Sequence, residues 1–302
     1  MPGRLVEHQP FRPLLPPAVP LWCTQPLSDT APWGIDPPMN DNHSPGALHR
    51  QHFRRGPDYR CGDDVSFAEI RDQFGLAGVR VGRWVTRREQ QLAANLVFDA
   101  MADLAYILNV PPQVIGLRGK LHLAFGTGGS PHSQAHYEPG AHTLALAKNA
   151  GAGALAHEYW HAFDHHIAAK AFVTPAKASA FASNLWLLQQ PMHSHPLNQR
   201  LSELFNAVFA PDKEAHGEFV DNALALDDQL GRRYFSLPTE LMARAFEACI
   251  QDHQIKNHYL VSGTKQGKLA QAGAYPTADH LQLINTMVHR YFQPLGQALS
   301  SQ

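Results

Sequence analysis

The chain has 302 residues, 44% hydrophobic and 17% charged, with a formal net charge of -1. That length buries a real core in one large domain or two small ones, and the charge balance excludes the global basic excess expected of a phosphate-backbone binder. Cys23, Cys61 and Cys249 are far apart and odd in number, which excludes a disulfide framework or a CxxC zinc knuckle and fits a reducing cytosol.

The N-terminal segment MPGRLVEHQPFRPLLPPAVPLW has no basic region followed by a clean apolar stretch, so no secretory signal is expected. No run of about 18 apolar residues predicts a membrane helix. The cytoplasm is therefore the expected location, with no membrane partner. Residues 1 to about 60, with RPLLPPAVP and WGIDPPMNDNHSPG, are rich in proline, which blocks helix interiors and leaves no apolar periodicity. They are expected to form a mostly disordered extension before a domain over 61–302.

That domain is expected to open with a helix over FAEIRDQF, N-capped by Ser66, with Glu69 completing a capping box. GVRVGRWV alternates like a strand. Thr86 then opens a long helix whose apolar positions Leu92, Leu96, Ala100, Leu104 and Ile107 recur at helical spacing, ending before Pro111-Pro112. VIGLRGKLHLAF reads as a strand leading into the turn GTGGS, and SQAHYE and HTLALA flank Pro139-Gly140 as a hairpin. GAGALAHEYWHAFDHHIAAKAF follows as a helix, and 180–302 reads as mostly helical, with loops at PMHSHP, APDK, SLP and GTKQGK. Strands first and helices after predict an α+β fold with one small mixed sheet.

Histidine is unusually frequent: 19 in all, eight of them between His122 and His166. Spacing gives this enrichment meaning. In HEYWH, His157 and His161 are four residues apart, so on a helix both imidazoles leave one face a turn apart and can share a zinc ion. Glu158 projects beside that ion, where a carboxylate takes the proton from an attacking water and passes it to a leaving amine. Catalytic zinc keeps three protein ligands and an open position. Asp164 and His165 lie near the same helix face, but one straight helix does not easily wrap three ligands around an ion. A second helix, PTELMARAFEA, supplies Glu240 as a first-turn carboxylate, with Glu247 two turns on; Glu203 lies in an earlier helix. Glu240 is the preferred third ligand.

AGAGALAHEYWHAFDHH, YFSLPTELMARAFEA and AYPTADHLQLINTMVHRYF resemble successive motifs of the zincin-type domain of large polyvalent proteins from phages and conjugative elements. The stretch from FAEIRDQF to the end, roughly 60–302, is similar to the bacterial CLCA_X family. The two-helix arrangement also resembles the gluzincin peptidases, including the lethal-factor type. The resemblance implies a zincin-like metallopeptidase fold, a glutamate ligand that falls on Glu240, and a tyrosine steadying the oxyanion, whose nearest counterpart is Tyr234. It also implies a peptide or protein substrate laid along a sheet edge, here SQAHYEPGAHTLALA. His136 and Tyr137 of that hairpin could face the cleft, but the preferred reading is that they are ordinary exposed strand residues. One departure matters: where many gluzincins place an acid four residues after the glutamate ligand, this chain has Arg244, and Asp164 or Glu247 is left to hold a ligand histidine from behind. The resulting expectation is a zinc-dependent peptidase, with a catalytically inactive binding module of the same fold as the alternative. The basic residues of RVGRWVTRREQ and HRQHFRR are few, so nucleic acid is not an expected partner.

Overall fold

The computed structural model describes residues 47–49, 52–127, 135–148, 153–173, 179–210 and 217–300. The proline-rich segment to residue 46 (with Cys23), residues 128–130 of GTGGS, Ser133 and Gln134, Gly151 and residues 211–213 of APDK lie outside them. The fold is α+β, mostly helical, with a small mixed sheet.

The helix α1 (Phe67–Phe74) begins with the expected capping box between Ser66 and Glu69 and ends on Gly75 in the left-handed region. The strand β2 (Gly78–Val81) is shorter than GVRVGRWV suggested, because the chain turns at Gly82, where the amide of Val85 donates to the Gly82 carbonyl at 3.1 Å. A second capping box, Thr86 with Glu89, starts α2 (Arg87–Leu108). Its most buried line runs through Ala93, Val97, Ala100, Leu104 and Leu108, with Leu92 and Leu96 on its shoulder. This helix is also long and apolar enough, by length and composition, to cross a membrane, which a search for unbroken apolar runs does not find. Most of that apolar stretch is buried within the fold, as in a core helix.

The strands β3 (His122–Phe125), β4 (Ala135–Glu138) and β5 (Thr143–Leu146) join β2 in the order β2-β3-β5-β4. The β2–β3 and β3–β5 pairs are parallel, while β4–β5 is an antiparallel hairpin that leaves β4 at the sheet edge. VIGLRGKLHLAF is a strand only in its last four residues. Before them comes a 3-10 turn at Pro112–Val114, then Leu117 and Arg118 at positive φ, so the alternating pattern there serves a tight loop.

Ordered structure also extends N-terminal of residue 61. The strand β1 (Arg54–Arg55) pairs antiparallel with β6 (Lys256–Asn257), and Leu48 is buried. The Arg54 guanidinium donates to both oxygens of the buried Asp103 carboxylate at 2.7 and 2.8 Å, and Arg60 does the same to Asp99 at 3.0 and 3.1 Å. The Asn257 amide also donates to Asp103 at 2.8 Å, while its carbonyl oxygen accepts from the amides of Tyr259 and Leu260. From there the Leu260 carbonyl accepts from the Ala156 amide at 3.0 Å, at the start of α3 (Leu155–Ala171). A β-carbon on Gly153 would lie 2.5 Å from the Ser262 nitrogen, and its φ of +104° suits glycine alone. This chain of contacts sets the entry angle of α3.

The C-terminal half carries α4 (Ala182–Leu187), α5 (Pro196–Phe209), α6 (Glu218–Leu230), α7 (Pro238–Asp252), α8 (Lys268–Gln271) and α9 (Ala278–Ser300). Aromatic packing locks α3 against α7 and α9: Trp160 meets Phe246 with ring centroids 4.9 Å apart, and Phe163 meets Phe292 at 5.0 Å. The two middle residues of HEYWH, Tyr159 and Trp160, thus fill the core. Burying them fixes the rotation of α3 about its axis, which turns His157 and His161 toward α7. Truncation of a fully buried tryptophan costs about 3–5 kcal/mol, so this orientation is strongly held.

Candidate metal centre

His157 and His161 lie on α3 and Glu240 in the first turn of α7, and one ligand atom from each falls within 4.8 Å of the others. The two imidazole Nε2 atoms are 3.1 Å apart, His161 Nε2 is 3.2 Å from Glu240 Oε1, and His157 Nε2 is 3.3 Å from Glu240 Oε2. Three donors each about 2.0–2.1 Å from one tetrahedral ion lie roughly 3.3 Å apart. The three side chains have that spacing, and two nitrogens with one carboxylate are a donor set suited to zinc or a similar divalent ion. Glu240, which reads from sequence as an exposed first-turn carboxylate, is only 3% exposed, because the α3–α7 contact covers it.

Behind His157, its Nδ1 meets Glu247 Oε1 at 3.2 Å, two turns along α7 from Glu240. An outer carboxylate of this kind fixes the tautomer and direction of a ligating imidazole. Asp164, the other candidate for that task, is engaged elsewhere: it accepts from the amide and hydroxyl of Ser183 at 2.8 and 2.5 Å and anchors the start of α4. Burial pushes the Asp164 carboxyl up to about 6 despite those bonds. His165 faces away from the three ligands; its Nδ1 is 2.7 Å from the Tyr137 hydroxyl, and its ring stacks on His142. Glu203, on α5, pairs with Arg290 at 3.2 Å.

The electrostatics of the cluster follow from burial and close packing. Burial opposes charge on His157, but Glu247 and Glu240 overcome it and push its pKa up to about 10. Glu240 is likewise desolvated, yet His157 and His161 hold its carboxyl well below the usual range. The two carboxylates that favour a proton on His157 would equally favour a cation beside it. Glu158 is buried next to this pair, and burial raises its carboxyl while His161 and His157 pull it back. His136, half-buried on edge strand β4, is close enough to act on Glu158 electrostatically. Tyr137 is fully buried, not an exposed strand residue, because the α3 helix covers its side of the hairpin.

The loop ahead of α7 is held by one residue that no sequence motif marks. The buried Asp227 carboxylate accepts from the amides of Tyr234, Phe235 and Ser236 at 2.9, 2.7 and 3.0 Å, and from the Ser236 hydroxyl at 2.6 Å. This clasp sets where α7 begins and so where Glu240 sits. Its only sequence signal is the first aspartate of an Asp227-Asp228 pair nine residues before Ser236 of SLPTE. Asp227→Ala is expected to lower unfolding free energy by about 3 kcal/mol in urea titrations, since four donors lose a charged acceptor. A change within about 0.5 kcal/mol would show the clasp to be dispensable.

Tyr234 stands in the middle of this loop, six residues before Glu240. Arg232 and Arg244 lie over its ring, each 5.7 Å from the centroid. Arg244 is itself buried, boxed by Phe235 at 4.6 Å and Tyr275 at 5.5 Å, and donates to the Tyr275 hydroxyl at 3.4 Å. Aromatic faces, together with Glu240 and Glu247, stabilise its charge. The arginine therefore occupies the position one turn beyond Glu240, and the outer carboxylate comes from Glu247 instead.

Comparison with known proteins adds one relationship. Residues 226–299 match the family model of large polyvalent protein-associated domain 1. The matched segment holds the Asp227 clasp, Glu240, Arg244 and Glu247, but not the histidine helix α3. No curated protein and no solved structure matches the chain.

Proposed function

We propose that the chain is a zinc-dependent metallopeptidase of zincin-like fold, hydrolysing peptide bonds at the His157–His161–Glu240 centre. The observation that carries this reading is the convergence of three buried side chains, His157, His161 and Glu240, whose nitrogens and carboxylate oxygens approach at 3.1–3.3 Å, with a second buried carboxylate, Glu158, beside them. His157, His161 and Glu240 would hold the ion, which when bound lowers the pKa of a water to about 7. Glu158 then acts as general base, taking the proton of the attacking water and returning it to the departing amine. Glu247 keeps His157 aimed inward. Tyr234 is assigned to the oxyanion by its resemblance to the gluzincin tyrosine. A peptide lying along β4, the sheet edge beside α3, would pass close to His136 and the metal centre.

A binding module of the same fold that does not hydrolyse, with or without a metal, is the alternative, and Arg244 motivates it. Glu247 on His157 Nδ1 weighs against it, since the outer support that Arg244 does not give is supplied from the next turn. The deciding experiment uses protein purified without chelators: about one zinc per chain by elemental analysis, and reproducible cuts in an unbiased peptide library by the metal-loaded form. A folded chain that takes up no zinc ends the proposal, and a zinc-loaded chain that cuts nothing leaves the binding module.

A further inference from the structure

The turn from β2 into α2 exposes Trp84 at 85%, the most exposed of the large apolar side chains among the described residues. Within four residues of it along the chain, Arg80, Arg83, Arg87 and Arg88 are all exposed. Four arginines elsewhere find carboxylates, Arg54 with Asp103, Arg60 with Asp99, Arg71 with Asp72 and Arg290 with Glu203, while Arg118 and Arg233 are exposed without an ion pair among the described residues. The four around Trp84 have no ion pair or hydrogen-bonded side chain among the described residues. The acid within reach in sequence, Glu89, is taken up by Lys148 at 2.7 Å and by the Thr86 cap. Residues 78–92 thus carry a net +3 in a chain whose total is -1.

Folding stability does not account for this arrangement. Arg87 and Arg88 occupy the first two positions of α2, the end where the helix dipole disfavours cations. Trp84 gains nothing from the core, and Arg83 and Trp84 sit at the corner of the Gly82–Val85 turn, where they project outward. Local choices that oppose stability and leave cations unpaired point to an external anion. Arginine forks match phosphate oxygens two at a time, and every cation of the patch is arginine. An exposed indole offers a face on which a base stacks whatever its identity. A membrane surface would also attract cations, but it favours an apolar face that sinks in, and Trp84 is flanked in the chain by exposed Arg83 and by Val85, which is partly buried against the core.

We infer that the β2–α2 turn is a binding site for single-stranded nucleic acid, with Trp84 stacking on a base and Arg80, Arg83, Arg87 and Arg88 on the flanking phosphates. Overall charge hides such a site, because acidic residues elsewhere offset it. The site stands apart from the metal centre, so its fate and that of the peptidase reading are independent.

The test is fluorescence anisotropy of a labelled 20-nucleotide oligothymidylate titrated with the full chain over a range of salt. The expected slope of log affinity against log salt is about -3, from about 0.7 per phosphate contacted. Trp84→Ala should weaken binding about tenfold with little change in slope. The double variant Arg83→Ala/Arg87→Ala should reduce the slope by about 1.4. All three residues are exposed, and unchanged melting verifies that the variants fold. Absence of binding at low salt, binding indifferent to Trp84→Ala, or equal Trp84-dependent binding to phosphatidylserine vesicles or to polyglutamate would each overturn the inference.

Discussion

Glu240→Ala should fold and yet retain well under one zinc per chain, with affinity lowered by at least two orders of magnitude. The comparison that sets this magnitude is Glu247, which supports a ligand from outside and whose loss typically costs 10–100-fold. Removing a first donor must exceed that. Glu247→Gln is therefore the internal standard: it keeps the shape of the α7 face and should fall between wild type and Glu240→Ala. Because Glu247 and Glu240 hold a proton on His157 up to about 10, zinc uptake at pH 7 should release about one proton from that imidazole. Calorimetry in buffers of different ionisation enthalpy reads this directly. The expected affinity falls as pH drops, since acid favours the proton that the cation must displace. If Glu240→Ala binds zinc as tightly as wild type, the third donor has been misassigned, and no stoichiometry on the parent chain could rescue it.

The histidine pair was legible in sequence because its meaning lies in local spacing, which a helix converts to geometry without help from the rest of the chain. The capping boxes at Ser66 and Thr86 and the β4–β5 hairpin were legible for the same reason. Features set by distant contacts were not. Whether Glu247 or Asp164 supports His157 depends on how α3 rotates against α7, and that rotation is decided by Trp160 and Phe163 meeting Phe246 and Phe292. Asp227 acts on amides seven to nine residues ahead, so it leaves no periodic signature. The burial of Tyr137 is likewise a property of α3 lying over the hairpin, since strand alternation alone does not say which face is covered. The place of Arg54 in the fold is not legible in sequence either, because it comes from Asp103, 49 residues on.

Glu158→Gln should separate chemistry from metal binding most sharply. Glutamine has the size of glutamate and is not asked to touch the ion, so zinc stoichiometry should stay at wild-type level. Hydrolysis of any peptide found in the library screen should fall about 10²–10⁴-fold, the usual contribution of a positioned general base. The pH profile gives a second readout. A base must be ionised to accept a proton, and burial raises the Glu158 carboxyl above its ordinary value while His161 and His157 oppose the rise. Wild-type kcat/KM should therefore climb with pH on an acid limb displaced upward from an ordinary glutamate, and the residual rate of Glu158→Gln should lack that limb. A structural role for Glu158 predicts the reverse pattern: lost zinc, lowered melting temperature and an acid limb of unchanged shape. Zinc-loaded Glu158→Gln that cleaves at the wild-type rate would remove Glu158 from the mechanism, and with it the assignment of hydrolysis to the α3 motif.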